Sequence, residues 1–80
     1  MNGRKRENGR RSVRLCLKTY LDSRGISRYA LAQATGIGYP TIDRYYKNEV
    51  VRYDADVLTR MVNALDCGIE DILELAEDPE

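Results

Sequence analysis

The sequence of 80 residues has no histidine, tryptophan or phenylalanine, and only two cysteines and two prolines. Without histidine, the usual serine or cysteine triads cannot be built, and no GxxxxGK loop is present to cradle a phosphate. The thiols Cys16 and Cys67 lie far apart and alone make a poor metal site. We therefore expect no enzyme, no cofactor and no metal, and we expect both cysteines to be buried free thiols.

Long apolar runs are also missing. No stretch approaches the roughly 20 apolar residues that a membrane helix needs, and the basic N-terminus lacks the apolar segment of a secretory signal. We expect no membrane association, no small-molecule ligand and a cytoplasmic location. With 42% hydrophobic residues, the chain can build one domain with a modest core.

The net charge of zero hides a strong segregation of charge along the chain. Residues 1–52 hold twelve Lys and Arg and four acids, whereas residues 53–80 hold one base and nine acids. This asymmetry indicates a polyanionic partner for the basic half. The acidic C-terminal run is most simply a solvated face. Alternatively, it repels a polyanion on that side or pairs with the basic N-terminus of a second copy.

The two ends of the chain are read as tails. Residues 1–12 are predicted to form a flexible basic arm, and residues 77–80 a frayed acidic tail. Between them, residues 13–76 form the domain. Apolar spacing predicts a first helix over about 12–23 and a fourth helix capped by Asp54 and ended by Gly68. A short fifth helix is predicted to include Ile69 and Leu75.

Residues 27–48, SRYALAQATGIGYPTIDRYYKN, have the layout of a helix-turn-helix. Ser27 suits an N-cap, and Gly36 suits the left-handed position where the first of the two helices must stop. Pro40 fits a first helical turn and biases Tyr39 toward the cap position. The next helix turns Ile42, Tyr45 and Tyr46 inward and leaves Thr41, Asp43, Arg44 and Lys47 outside.

At this point the chain resembles a known family. The runs LCLKTYLDSRGIS, YALAQATGIGYPTI and VLTRMVNALDCGIEDILEL are similar to the XRE-type regulators, the DNA-binding domains of phage repressors and Cro proteins. The resemblance covers roughly the last five-sixths of the chain and is strongest to the short variant. It implies an all-α fold, a compact five-helix bundle of the lambda-repressor-like type, in a protein encoded by a bacterium or phage.

Three positions depart from the family pattern. Arg28 stands in place of the usual glutamine, and Asn48 stands where a glycine often ends the recognition helix. Pro40 and Asp43 are unusual on a surface that faces a DNA groove.

The resemblance and the docking geometry of such helices together suggest a DNA-contacting set. Arg44 is the best candidate for a bidentate contact to guanine. The expected base-contacting residues are Tyr39, Pro40, Thr41, Asp43 and Arg44; the expected phosphate contacts are Arg28, Tyr29, Lys47, Asn48 and Arg52; and the arm contributes Arg4, Lys5, Arg6, Arg10, Arg11 and Arg14.

Several of these residues have a plainer reading. Arg44 can be a solvated side chain, and the arm a solvated tail. Asp43 can accept from cytosine, but a pair with Lys47 or Arg28 is favoured. Tyr45 and Tyr46 fit the core better than a stacking role, whereas Tyr29 and Tyr53 stay open.

The sequence thus predicts a sequence-specific regulator of transcription that binds double-stranded DNA as a homodimer. The fifth helix, or Leu75 with its neighbours, is the expected dimer seam. The alternative is a protein-interaction module on the same fold, such as an antitoxin or antirepressor. RNA binding has no supporting signature, since no aromatic platform is present.

Overall fold

The structure, a computed structural model, describes residues 10–77 of the chain. Its elements follow one another as β1 (Arg11–Leu15), α1 (Leu17–Arg24), α2 (Arg28–Thr35), α3 (Tyr39–Tyr46), α4 (Ala55–Leu65), a short 3-10 helix (Ile69–Asp71) and β2 (Leu73–Glu77). The described part of the chain is therefore mostly helical, with four α-helices and one small sheet.

The expectation of an all-α five-helix bundle was wrong at both ends. The start of the predicted first helix is β1, and the predicted fifth helix is the 3-10 helix followed by β2. The strands pair antiparallel, from Arg11 opposite Glu77 to Leu15 opposite Leu73. The pairing wins because it satisfies backbone groups that a frayed helical turn would leave to water. Arg11 and Ser12 thus lie in the sheet.

The helix ends follow local rules with two corrections. The Ser27 hydroxyl accepts from the Ala30 amide at 3.0 Å, and Gly36 ends α2 with φ of 76°. Asp54 caps α4 as expected. However, the residue that caps α3 is Gly38 rather than Tyr39, and α4 ends at Leu65 with Asp66 in the left-handed region.

Every α-helix and the segment before β2 contribute to one core. Its fully buried side chains are Leu17, Leu21, Leu31, Ile42, Met61 and Ile72. Tyr45 is also buried, as expected, and its hydroxyl accepts from the Asp54 amide at 2.9 Å. This bond ties the end of α3 to the start of α4, so α3 is anchored at its C-terminal side.

The two cysteines are free thiols and are half buried rather than fully buried. Burial raises the pKa of both the Cys16 and the Cys67 thiol, so both stay protonated at neutral pH. Within residues 10–77, no cluster of three or more acidic, histidine or cysteine side chains is arranged to hold a metal ion. None of the helices described there is long and apolar enough to cross a membrane.

Candidate nucleic-acid interface

The site is built around the turn between α2 and α3. Gly36 carries the chain out of α2, and the Thr35 hydroxyl accepts from the Ile37 amide at 3.1 Å, which closes the turn. Gly38 then starts α3 from an extended conformation, with Pro40 in the first turn. Proline lacks an amide hydrogen, but amides in the first turn of a helix have no intrahelical partner. Pro40 therefore costs α3 no hydrogen bond.

One face of α3 is buried and the other points to solvent. Ile42 and Tyr45 are in the core, whereas Tyr39, Pro40 and Arg44 are exposed. Thr41 is half buried at the edge of the exposed face. Of the side chains proposed for base contact, Tyr39, Pro40 and Arg44 are therefore exposed, whereas Thr41 and Asp43 are half buried.

Asp43 is engaged within the protein by two cations. Arg28 donates to its Oδ1 at 2.6 Å, and Lys47 lies 3.1 Å from its Oδ2. The Lys47 bond and then the Arg28 bond hold the pKa of Asp43 below its ordinary value of 3.8, against the opposing effect of burial. Both pairings that the sequence allowed are thus present together, and both carboxylate oxygens are in use.

Arg28 is also held by an aromatic ring. Its guanidinium lies 4.4 Å from the centre of the Tyr46 ring, and the Tyr46 hydroxyl donates to Asp22 on α1 at 2.7 Å. Asp22 in turn bonds Lys18 at 2.8 Å. The planar guanidinium is therefore fixed at the start of α2 by a chain of contacts that begins on α1.

The Tyr46 hydroxyl has a part that the sequence analysis missed. Tyr46 packs against the core, as expected, but it is only half buried and its hydroxyl faces the polar network. The bond to Asp22 raises the pKa of Tyr46, and burial adds to the shift. The partner lies 24 positions earlier in the chain, so no local spacing could have indicated the contact.

Of the other expected phosphate contacts, three are at the surface and one, Asn48, bonds another element of the fold. Tyr29 is 64% exposed, and Lys47 and Arg52 are on the surface. Asn48 takes the left-handed conformation with φ of 58°, and its Oδ1 accepts from the Leu15 amide at 3.0 Å. Part of the Asn48 amide group is thus used to join the end of α3 to β1. Tyr53, left open above, donates to the Val13 carbonyl at 3.4 Å.

The proposed arm is divided between described and undescribed residues. Arg4, Lys5 and Arg6 lie outside residues 10–77. Arg10 is exposed immediately before β1. Arg11 and Arg14 are strand residues that stand opposite Glu77 and Glu74. These two arginines therefore belong to the sheet, with an acidic residue across from each.

Two further polar side chains border the turn and were not found from the sequence. Gln33 is exposed on α2 and lines a shallow cleft with Tyr29 and Tyr39. Its position four residues after Tyr29, on the same helical face, was the available signal. Arg60 on α4 donates to the Thr35 carbonyl at 3.4 Å and to Asp56 at 2.9 Å. Its charge thus supports the C-terminal end of α2.

Two short helices joined by a glycine turn, with the second presented outward on a helical core, define a helix-turn-helix domain. Residues 17–78 match the family of Cro/C1-type HTH DNA-binding domains, and the chain belongs to that family. Membership makes this a DNA-binding helix-turn-helix protein of the kind that regulates transcription, and the family is typically non-enzymatic. Separate comparisons with curated proteins and with solved structures found no match.

Proposed function

We propose that this protein is a sequence-specific regulator that reads the major groove of double-stranded DNA with α3. The observation that carries the proposal is the two-sided character of α3. Ile42 and Tyr45 anchor it, while Tyr39 and Arg44 are exposed to solvent. An α-helix fits the major groove, and residues near its N-terminus come closest to the base edges in this docking geometry.

Phosphate contacts would set the register of the helix on the duplex. Arg28 starts α2, where the helix dipole and free amides favour an anion. Only one of its terminal nitrogens is bonded to Asp43, so its other donors can reach a phosphate. We assign Tyr29, Lys47, Asn48 and Arg52 to the same role. These contacts would position α3 without specifying the sequence.

The basic residues before β1 would add affinity. If the arm and the domain neutralise about five phosphates per subunit, the logarithm of the affinity should fall with the logarithm of salt concentration at a slope of roughly −4 to −5. Since one such helix contacts few bases, we propose that the protein binds as a homodimer. A two-fold dimer requires half-sites about 34–36 Å apart, one turn of the duplex.

The first prediction concerns Arg44. Bound sites are selected from a random DNA pool, and affinities for the selected site and a scrambled duplex are then measured by gel shift. We expect Arg44→Ala to weaken binding to the selected site by roughly tenfold to a hundredfold and to reduce the ratio between the two duplexes, because a bidentate guanine contact is worth about 1–3 kcal/mol.

Arg24→Ala is the matched control, because Arg24 is an exposed arginine at the end of α1 that stacks on Tyr20. The control should change both affinities by less than about threefold. Equal losses from the two variants would mean that Arg44 contributes only charge. If no sequence is enriched from the random pool, the proposed specificity is rejected.

A protein-interaction module is the second candidate. The observation that favours it is the ion cluster of Arg28, Asp43 and Lys47, which partly neutralises the face next to α3. A module of this kind would keep its partner when Arg44 is changed to Glu, whereas a DNA reader would lose the selected site. Affinity capture with the wild-type chain and with Arg44→Glu separates the two candidates.

A further inference from the structure

Arg28, the phosphate contact proposed at the start of α2, is held by side chains that belong to α3. Its guanidinium carbon lies 4.4 Å from the centre of the Tyr46 ring and 6.0 Å from that of the Tyr39 ring. Its Nη1 donates to Asp43 at 2.6 Å. The Tyr46 ring is the nearer of the two and lies well within the range of a cation–π contact. The position of the guanidinium therefore depends on where that ring is held.

The Tyr46 ring is held at both of its ends. Its body packs against the hydrophobic core, and its hydroxyl donates to Asp22 Oδ1 on α1 at 2.7 Å. The other carboxylate oxygen of Asp22 accepts from Lys18 at 2.8 Å. The Lys18 bond and then the Tyr46 bond hold the pKa of Asp22 below its ordinary value of 3.8, so the carboxylate is charged at neutral pH. A charged acceptor makes a stronger hydrogen bond, which fixes the tip of the ring.

A guanidinium that is ordered before binding has an energetic advantage. A free arginine side chain samples many rotamers, and a phosphate contact removes that freedom at a cost in free energy. In this protein Tyr46 and Asp43 order the side chain of Arg28 when the chain folds, before any ligand binds. No hydrogen bond within residues 10–77 uses Nε or Nη2 of Arg28. The ordered group therefore still has donors to offer an anion.

We propose that Tyr46 is a positioning residue for Arg28, which turns the guanidinium toward a DNA phosphate without contacting the duplex itself. The inference rests on the proposed function, because it takes Arg28 as a phosphate contact. It adds that DNA affinity depends on the last residue of α3 and on the bond from that residue to Asp22 on α1. Neither Tyr46 nor Asp22 was among the residues that the sequence suggested for DNA contact.

Tyr20 provides a matched comparison within the same molecule. It is half buried and packs against the same core, as Tyr46 does, and its ring centre lies 4.5 Å from the guanidinium of Arg24. Arg24 is the last residue of α1 and is not among the residues proposed to contact DNA. Replacing Tyr20 by leucine therefore removes an equivalent stacking contact that has no proposed role in binding.

The test is a double-mutant cycle on binding to a duplex of fixed, arbitrary sequence, measured by fluorescence anisotropy. Tyr46→Leu removes the ring and Tyr46→Phe removes only the hydroxyl, and each is made in the wild-type chain and in Arg28→Ala. In the wild-type chain we expect Tyr46→Leu to weaken binding about fivefold to tenfold and Tyr46→Phe about twofold to fourfold, within the range of coupling between residues in contact. In Arg28→Ala both effects should shrink to less than about 1.5-fold, because the group that Tyr46 positions is gone. Tyr20→Leu should stay within that limit in both backgrounds.

Side-chain order gives a second readout, which needs no DNA. Nitrogen-15 relaxation of the Nε group is compared for Arg28 and for Arg44, an exposed arginine on α3. We expect a higher order parameter for Arg28 in the wild-type chain and a fall to the Arg44 level in Tyr46→Leu. Tyr20→Leu should leave the order parameter of Arg28 unchanged. Circular dichroism checks folding, and if Tyr46→Leu does not fold, Tyr46→Phe alone decides the cycle.

Equal losses of affinity in the two backgrounds would mean that Tyr46 acts only through the stability of α3, and would overturn the inference. An Arg28 side chain as mobile as Arg44 in the wild-type chain would overturn it as well, and so would an unchanged affinity in Arg28→Ala. None of these results bears on whether Arg44 selects a sequence, so the inference can fail while the proposed reading by α3 stands. A wild-type chain that binds no duplex is the separate result that rejects the proposed function, and the inference with it.

Discussion

At the scale of single residues, the key side chain is Asp43. Its position on the outer side of α3 suggested a base contact, but its two oxygens bond Arg28 and Lys47. The carboxylate thus lies between Arg28 and Lys47, the two cations that are proposed to bind DNA phosphates. Binding to DNA would have to share or replace these contacts, so Asp43 is expected to reduce affinity rather than to supply it.

Asp43→Asn therefore should strengthen binding to non-specific DNA by about threefold to tenfold and steepen its salt dependence by up to about one counterion, because one carboxylate charge is removed beside two phosphate-binding cations. Fluorescence anisotropy at several salt concentrations measures both quantities.

Asp56→Asn is the matched control for that measurement. Asp56 also bonds a cation four residues away, Arg60 at 2.9 Å, but it lies on α4. If both variants strengthen binding equally, only net charge matters. If Asp43→Asn weakens binding to the selected site, the carboxylate reads a base after all.

The pairing of Asp43 could be predicted from the sequence in part, because Lys47 follows it at helical spacing. The sequence could not show that Arg28 also bonds Asp43, since that contact depends on the packing of α2 against α3. The contact of Tyr46 with Asp22 lay beyond any local pattern. Side chains that bridge separate elements are set by tertiary packing, which is why the network around Arg28 had to be seen.

At the scale of elements, the helix-turn-helix could be predicted from the sequence because the residues that determine it are close together in the chain. Ser27 and Gly36 mark the start and end of α2, and the apolar spacing of Ile42 and Tyr45 marks the buried side of α3. The strands were missed because each is short and its partner lies about 60 positions away in the chain. Five residues such as LELAE fit a helix or a strand equally well until that partner is known.

The turn itself gives a stability prediction. Gly36 has φ of 76°, and a Cβ there would meet nothing closer than Arg60 Nη1 at 3.9 Å. Gly36→Ala should therefore lower the free energy of unfolding by about 1–2 kcal/mol through backbone strain alone. Urea denaturation followed by circular dichroism measures the change.

Gly38→Ala provides the comparison, because Gly38 has φ of −60° and a Cβ there would make an ordinary contact of 3.8 Å with Pro40. We expect its effect to stay within about 0.5 kcal/mol, the small difference between glycine and alanine in an allowed conformation offset by their capping preferences. Equal losses at the two positions would contradict the assignment of strain to Gly36.

At the scale of the whole molecule, folding brings together basic and acidic residues that are far apart in the sequence. The antiparallel sheet brings the basic start of the domain beside its acidic end, with Arg11 opposite Glu77 and Arg14 opposite Glu74. Among residues 10–52, Lys18, Arg28 and Lys47 form ion pairs with acids. Arg44 on α3 and Arg52 shortly after α3 are both exposed. Recognition by α3, as proposed, would therefore rest on a small number of contacts.

The most direct test of the central claim is an amide chemical-shift titration of the protein with its selected duplex. We predict that the largest changes fall on Gly38 through Arg44 and on Arg28 at the start of α2, and that Arg44→Ala reduces the difference between the selected and scrambled duplexes. Changes concentrated away from α3, or identical patterns with both duplexes, would contradict the account.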